Sequence, residues 1–105
     1  MIKIKTQPVY FVTYFETKYK SIEEIRAKTP DTLATHIART NELHKQGVLL
    51  MAGAFRQNNP DEPISTMAIF PTRESAEEYA KGDPFVLNDM VSKWHIREWN
   101  NILKD

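Results

Sequence analysis

The chain is expected to fold as one α+β domain over residues 1–105, a ferredoxin-like β-α-β-β-α-β unit. Both helices would cover one face of a four-stranded antiparallel sheet. Three observations carry this reading. Residues 9–15 (VYFVTYF) form a near-continuous aromatic and β-branched run. Residues 32–50 read as an amphipathic helix that stops at Gly47 and leads straight into a second apolar run. A polar loop then separates that run from a third strand, which is followed by a second helix and a last strand.

Taken in order, the first run is too short for a helix and apolar on both faces, which suits an interior strand. Ser21-Ile22-Glu23-Glu24 matches a capping box, with Ser21 as N-cap and Glu24 at N3, and opens a short helix. Thr29-Pro30-Asp31 breaks that helix. Asp31 or Thr32 is then expected to cap the main helix, at about 32–46. Residues 48–55 (VLLMAGAF) read as the second strand, where Gly53 suggests a bulge or the close approach of another group. Residues 56–63 (RQNNPDEP) make the hairpin loop, and 64–70 (ISTMAIF) the third strand. A helix over 73–81 shows a narrow stripe of Ala76, Tyr79 and Ala80 and ends at Gly82. Asp83-Pro84 starts a further short helix, with Asp at N-cap and Pro at N1. Residues 92–99 (SKWHIREW) alternate as a half-exposed last strand. The sheet face away from the helices would then be apolar and open. Pairing two such faces into a barrel predicts a homodimer.

Composition narrows the function classes. Lys and Arg number 14, as do Asp and Glu, so no net field favours nucleic acid or an anionic membrane. The absence of cysteine removes disulfides, thiolate metal sites and a Cys nucleophile, and suits a reducing compartment. No run approaches the roughly 20 apolar residues of a membrane span, and residues 1–8 lack the apolar core of a signal peptide. A cytoplasmic protein is therefore expected. No G-x-G-x-x-G, P-loop or thiolate set is present, so no cofactor is expected either. His36, His44 and His95 have no ligand spacing, and no metal is expected.

At about 100° per residue, Leu33, Ile37, Thr40 and His44 project to one side of the main helix, with His36 and Leu43 flanking them. Histidine is seldom fully buried, so an imidazole there needs a polar partner. His36, Leu43-His44, Gly47-x-Leu49-Leu50-x-Ala52-Gly53, Ser65, Glu74-x-Ala76 and Asp83-Pro84-Phe85 occur in this order and spacing from about residue 33 onward. In these motifs the chain resembles the YciI-like, or YCII-related, domains. The resemblance implies a dimeric α+β barrel of ferredoxin-like protomers and a histidine–aspartate pair falling on His36 and Asp83. The wider superfamily spans muconolactone isomerases, small monooxygenases and stress-type domains, so the fold alone does not choose a reaction. Two positions depart from the family's pattern. Leu33 stands where relatives often carry Arg, and Ala54 where they often carry Pro. Arg26 or Lys28, from a first connection (16–30) longer than usual, would have to supply any missing cation.

Each candidate has two readings. His36 is either a general base oriented by Asp83 or a helix-flank histidine satisfied by a structural carboxylate. Asp83 caps the short helix and can still accept the imidazole with its second oxygen. His44 reads as a packing residue favoured by the helix dipole, and His95 as a solvated or interface residue. Ser65, at the start of strand three, is a candidate pocket residue without a nucleophile-elbow context. Tyr14 and Phe55, with Tyr10 and Met51, are candidates for an aromatic-lined cavity between helix and sheet, or for plain core. The expected function is cofactor-free acid/base chemistry on a small organic substrate, by His36 and Asp83, with Ser65, Tyr14 and Phe55 as substrate contacts. The competing reading is a non-catalytic binding or dimerisation module. Solvent access to the free His36 nitrogen separates the two.

Overall fold

An apolar sequence on both faces suits a strand flanked on both sides, and that is where residues 9–17 lie. In a computed structural model, which describes residues 6–103, strand β1 (Val9–Thr17) is inner. It pairs antiparallel with β3 (Ser65–Phe70) on one side and β4 (Val91–Asn100) on the other. The short β2 (Met51–Ala54) adds to β3, giving the order β2-β3-β1-β4. With helices α1 (Ile22–Lys28), α2 (Pro30–Lys45), α3 (Arg73–Gly82) and α4 (Pro84–Leu87), this is the ferredoxin-like α+β arrangement with a short extra helix before the main helix of the first crossover and another after that of the second. Among the described residues, no helix is long and apolar enough to cross a membrane.

Helix boundaries follow local chemistry. The Ser21 hydroxyl accepts the Glu24 N–H at 3.0 Å, as a capping box requires. Glu24 reaches one residue further back than the box predicts, to the Lys20 N–H at 2.9 Å. Helix α2 starts at Pro30, two residues earlier than expected, because proline at N1 lacks only an N–H that the first turn leaves unpaired anyway. It ends in a Schellman motif: Val48 N–H bonds Leu43 O and Gly47 N–H bonds His44 O, both at 3.0 Å. Gly47 takes φ +75, the left-handed conformation the motif needs.

Strand β2 is shorter than its apolar sequence suggests. Leu49 turns into the core, so the ladder runs only from Met51 to Ala54. Its register against β3 runs without a shift, and a Cβ at Gly53 would meet nothing within 4 Å. Neither the bulge nor the close approach expected at Gly53 is present.

Side chains alternate across the sheet. Phe11, Thr13, Phe15 and Thr17 of β1 face the helices, with Thr66, Ala68 and Phe70 of β3 beside them. Phe15 stacks on Tyr79 of α3 and Phe70 meets it at a tilt, with Ala76 and Ala80 closing the layer. A second cluster of Ile25, Leu33, Phe85 and Met90 ties α1, α2 and α4 together. Between these two clusters the site is placed.

Candidate functional site

Asp83 sits at the junction of α3 and α4 and is fully buried. One carboxylate oxygen accepts the Phe85 N–H at 2.8 Å, the N-cap bond that Asp-Pro predicts. The other lies 2.8 Å from Nδ1 of His36, on the middle turn of α2. An ionised carboxylate only accepts, so Nδ1 carries the proton and Nε2 keeps its lone pair. Phe85 also stacks on the imidazole, with centroids 4.3 Å apart and planes 12° from parallel. One short turn, Asp83-Pro84-Phe85, therefore fixes the His36 ring by a hydrogen bond at its edge and an aromatic plane at its face.

The His36 side chain is 18% exposed, and that exposure opens into a cavity of about 290 Å³ between the helices and the sheet. Ile37 and Thr40 of α2, Thr66 of β3 and Tyr79 of α3 share its wall. Among the described residues, only Nδ1 of the ring is hydrogen-bonded within the protein. With Nδ1 as the donor of a neutral ring, Nε2 is left as an acceptor with no hydrogen-bond partner among the described residues. Thr40 adds support by donating to the His36 carbonyl at 2.7 Å.

Tyr79 is the residue that the sequence pattern concealed. It reads as one of three apolar positions on α3, yet it lines the cavity, and Asp83 and Thr40 are the polar neighbours of its hydroxyl. Burial raises its pKa well above the tyrosine range, and the Asp83 charge raises it further. Tyr79 therefore keeps its phenol proton where an ordinary tyrosine would lose it. The signal was its spacing: Tyr79 precedes Asp83 by four residues, one turn of helix. Arg39 anchors this corner, donating to the Tyr79 and Glu78 carbonyls at 3.1 and 3.2 Å with its guanidinium over the Tyr79 ring.

Of the expected site residues, the structure brings His36 and Asp83 together and places the other three elsewhere. Tyr14, Ser65 and Phe55 do not line the His36 cavity. Tyr14 and Ser65 project from the opposite face of the sheet, in register with Met67 and Glu16 respectively, and Phe55 lies against Tyr14 there, centroids 6.2 Å apart. Tyr10 and Met51 lie on the same open face. The cavity between helix and sheet is instead lined by aliphatic and hydroxyl side chains together with the His36, Tyr79 and Phe85 rings. The cause is parity: β1 is apolar at both odd and even positions, and a one-residue offset exchanges the faces.

The remaining histidines serve other ends. His44 is exposed rather than buried, and its Nδ1 donates to the Leu49 carbonyl at 2.9 Å, fastening the end of α2 to the chain entering β2. His95 stacks on Tyr14 on the open sheet face, centroids 5.0 Å apart. Among the described residues, no three His, Cys, Asp or Glu side chains gather as a metal-binding group. Lys28 pairs with Glu24, and neither Lys28 nor Arg26 lines the cavity.

This architecture occurs in solved structures. The chain is similar to 5-chloro-2-hydroxyhydroquinone dehydrochlorinase (TftG) from Burkholderia phenoliruptrix AC1100, in complex with 2,5-dihydroxybenzoquinone. The TM-score is 0.62 at 15% identity, over 88% of this chain and 94% of that one. It is also similar to protein SO0527 from Shewanella oneidensis, with a TM-score of 0.52 at 17% identity, over 94% and 95% of the two chains. NE2512, a protein of unknown function from Nitrosomonas europaea, gives a TM-score of 0.52 at 13% identity, over 93% and 92%. At these identities the likeness is one of fold. No curated protein matches the sequence. The pattern of the YCII-related domain, by contrast, matches residues 9–100, nearly the whole chain. With the β-α-β-β-α-β fold in place around it, the chain belongs to the YCII-related domain family.

Proposed function

We propose that the protein is a small cofactor-free enzyme in which His36 is the general acid/base and Asp83 its orienting partner. The observation that supports this most is the asymmetry of the His36 ring. Nδ1 is bonded to a fully buried carboxylate, while Nε2 opens to a cavity large enough for a small molecule. A purely structural histidine gains nothing from the second half of that arrangement.

In the proposed reaction, Nε2 takes a proton from a C–H or O–H of the bound molecule, and the imidazolium is stabilised by Asp83. Returning that proton to a different carbon completes an isomerisation. Alternatively, the electron pair left by a C–H proton forms a double bond as a neighbouring group departs and takes the proton as HX. Tyr79 supplies a neutral O–H donor on the same wall, suited to an oxygen that gains negative charge. Elimination is also the reaction in the name of the Burkholderia protein, whose likeness to this chain extends to the fold alone.

The test is a screen in deuterated water of small ring ketones, lactones and hydroxylated rings, followed by NMR. Protein-dependent deuterium incorporation or HX release that disappears in His36→Gln supports the reading. The rate should drop by roughly 10²-fold or more in that variant. Activity that survives His36→Gln, or a screen in which ligands bind with no exchange, sinks it in favour of a binding module.

Assembly belongs to the same proposal. On the open sheet face Met51 is 67% exposed, Phe55 48% and Trp99 51%. A second copy packed face to face would cover this surface and close a barrel. Sedimentation equilibrium should show a dimer, and a monomer at micromolar concentration would remove this part of the account.

A further inference from the structure

The wall of the His36 cavity carries no formal charge of its own. Besides His36, its lining consists of aliphatic, aromatic, hydroxyl and amide side chains, with no Lys, Arg, Asp or Glu among the described residues. Nearby cations are engaged elsewhere. Arg39 binds the carbonyls at the end of α3, and Lys28 binds Glu24. The buried Asp83 carboxylate lies directly behind His36. With His36 neutral the pair carries one negative charge, and with His36 protonated it carries none. In neither state does an anionic ligand meet an uncompensated positive partner. A carboxylate entering the cavity would lose hydration and gain no ion pair in return.

We infer that this cavity selects an uncharged substrate of about one substituted ring, its acidic O–H or C–H directed at His36, and rejects carboxylate-bearing molecules. The inference rests on the reading of the cavity as the reactive site. Size agrees: an engineered apolar cavity of about 150 Å³ holds benzene, and this one is about 290 Å³. Polarity agrees as well. Thr40, Asn41, Thr66 and Tyr79 offer hydroxyl and amide groups, which match neutral oxygen atoms better than full charges. The unprotonated Nε2 accepts, so the ligand edge facing it must donate.

Three probes of one shape and different charge test this on the full chain: 4-hydroxybenzyl alcohol, 4-hydroxybenzoate and 4-hydroxybenzylamine. NMR titration gives Kd for each, and the His36 imidazole signals report whether the probe occupies this cavity. The alcohol should bind, shift His36, and do so at least about tenfold tighter than the benzoate, a gap in Kd that titration resolves readily. The amine should also bind more weakly than the alcohol, because both Asp83 oxygens are already engaged. Ile37 is 49% exposed on the cavity wall, so Ile37→Lys adds a cation there without disturbing the core. That variant should cut the discrimination against benzoate to about threefold or less.

Benzoate or amine binding as tightly as the alcohol overturns the inference. So does an unchanged preference in Ile37→Lys, or the absence of a His36 shift with all three probes. The readout is equilibrium binding, which keeps it separate from the catalytic reading. Neutral binding without proton exchange would sink the enzyme proposal alone, whereas turnover of carboxylates would sink this inference alone.

Discussion

The two faces of one sheet differ more than their sequences do. On the helix side Thr13, Phe15, Ala68 and Phe70 are buried under α3, and the chain invests its polar groups there in a single fixed constellation. On the other side Tyr14, Met67, His95 and Trp99 form an open surface beside Arg97, with no described element above it. Both faces are drawn from the same strands, residue by alternate residue. Apolar character alone therefore does not mark a site. What distinguishes the covered face is a buried carboxylate with one oxygen on the Phe85 N–H and the other on the His36 imidazole.

Breaking the covered face should produce the largest effects. Asp83→Ala leaves the Phe85 N–H and the His36 ring without their acceptor, and should destabilise the fold by roughly 3 kcal/mol or more in urea unfolding. Asp83→Asn retains one acceptor and should cost less stability while lowering any His36-dependent activity by roughly 10²-fold. Phe70→Ala removes a fully buried ring between β3 and α3 and should cost about 3–5 kcal/mol. Equal losses of activity and stability in Asp83→Asn and Phe70→Ala would erase the distinction between site and core.

On the open face, substitution should act on assembly rather than folding. Trp99→Glu should weaken the proposed dimer at least about tenfold in sedimentation analysis, yet shift monomer stability by less than about 1 kcal/mol. A cooperative loss of folding would mean that this face is core after all.

Two smaller effects sharpen the description of the Tyr79 corner. Burial raises the Tyr79 pKa in the folded state, so the unfolded chain loses this proton first as pH rises. The stability conferred is therefore intact below about pH 10 and falls above it, and Tyr79→Phe should flatten that fall. Gly82→Ala places a Cβ 2.9 Å from Nη2 of Arg39, the far end of a flexible side chain. Gain in helix propensity and loss of the Arg39 contacts oppose each other, so the net change should stay within about 1 kcal/mol.

Much of the scaffold was legible because its signals are local. Gly47 needs a left-handed backbone, Asp83-Pro84 starts a helix, and Ser21 caps one, and each does so within four residues. The His36–Asp83 pairing spans 47 residues and was visible only through the family resemblance. Three features escaped because they are settled by packing. The parity of β1 was open, since Tyr10, Val12 and Tyr14 are as apolar as Phe11, Thr13 and Phe15. That ambiguity left Tyr10 and Tyr14 expected between helix and sheet, whereas both lie on the open face. The Tyr79 hydroxyl was hidden inside an apparently apolar stripe. Phe85 gave no sign that its ring would lie against an imidazole on another helix.

On the proposed reading, Asp83 sets the His36 tautomer so that Nε2 faces the cavity as a free base. Nitrogen-15 NMR of the imidazole at a pH where it is neutral, in the wild type and in Asp83→Asn, tests it most directly. The wild type should show a protonated Nδ1 and an unprotonated Nε2, with the two forms mixing in the variant. An Nε2–H tautomer in the wild type, or identical spectra for both proteins, would contradict it.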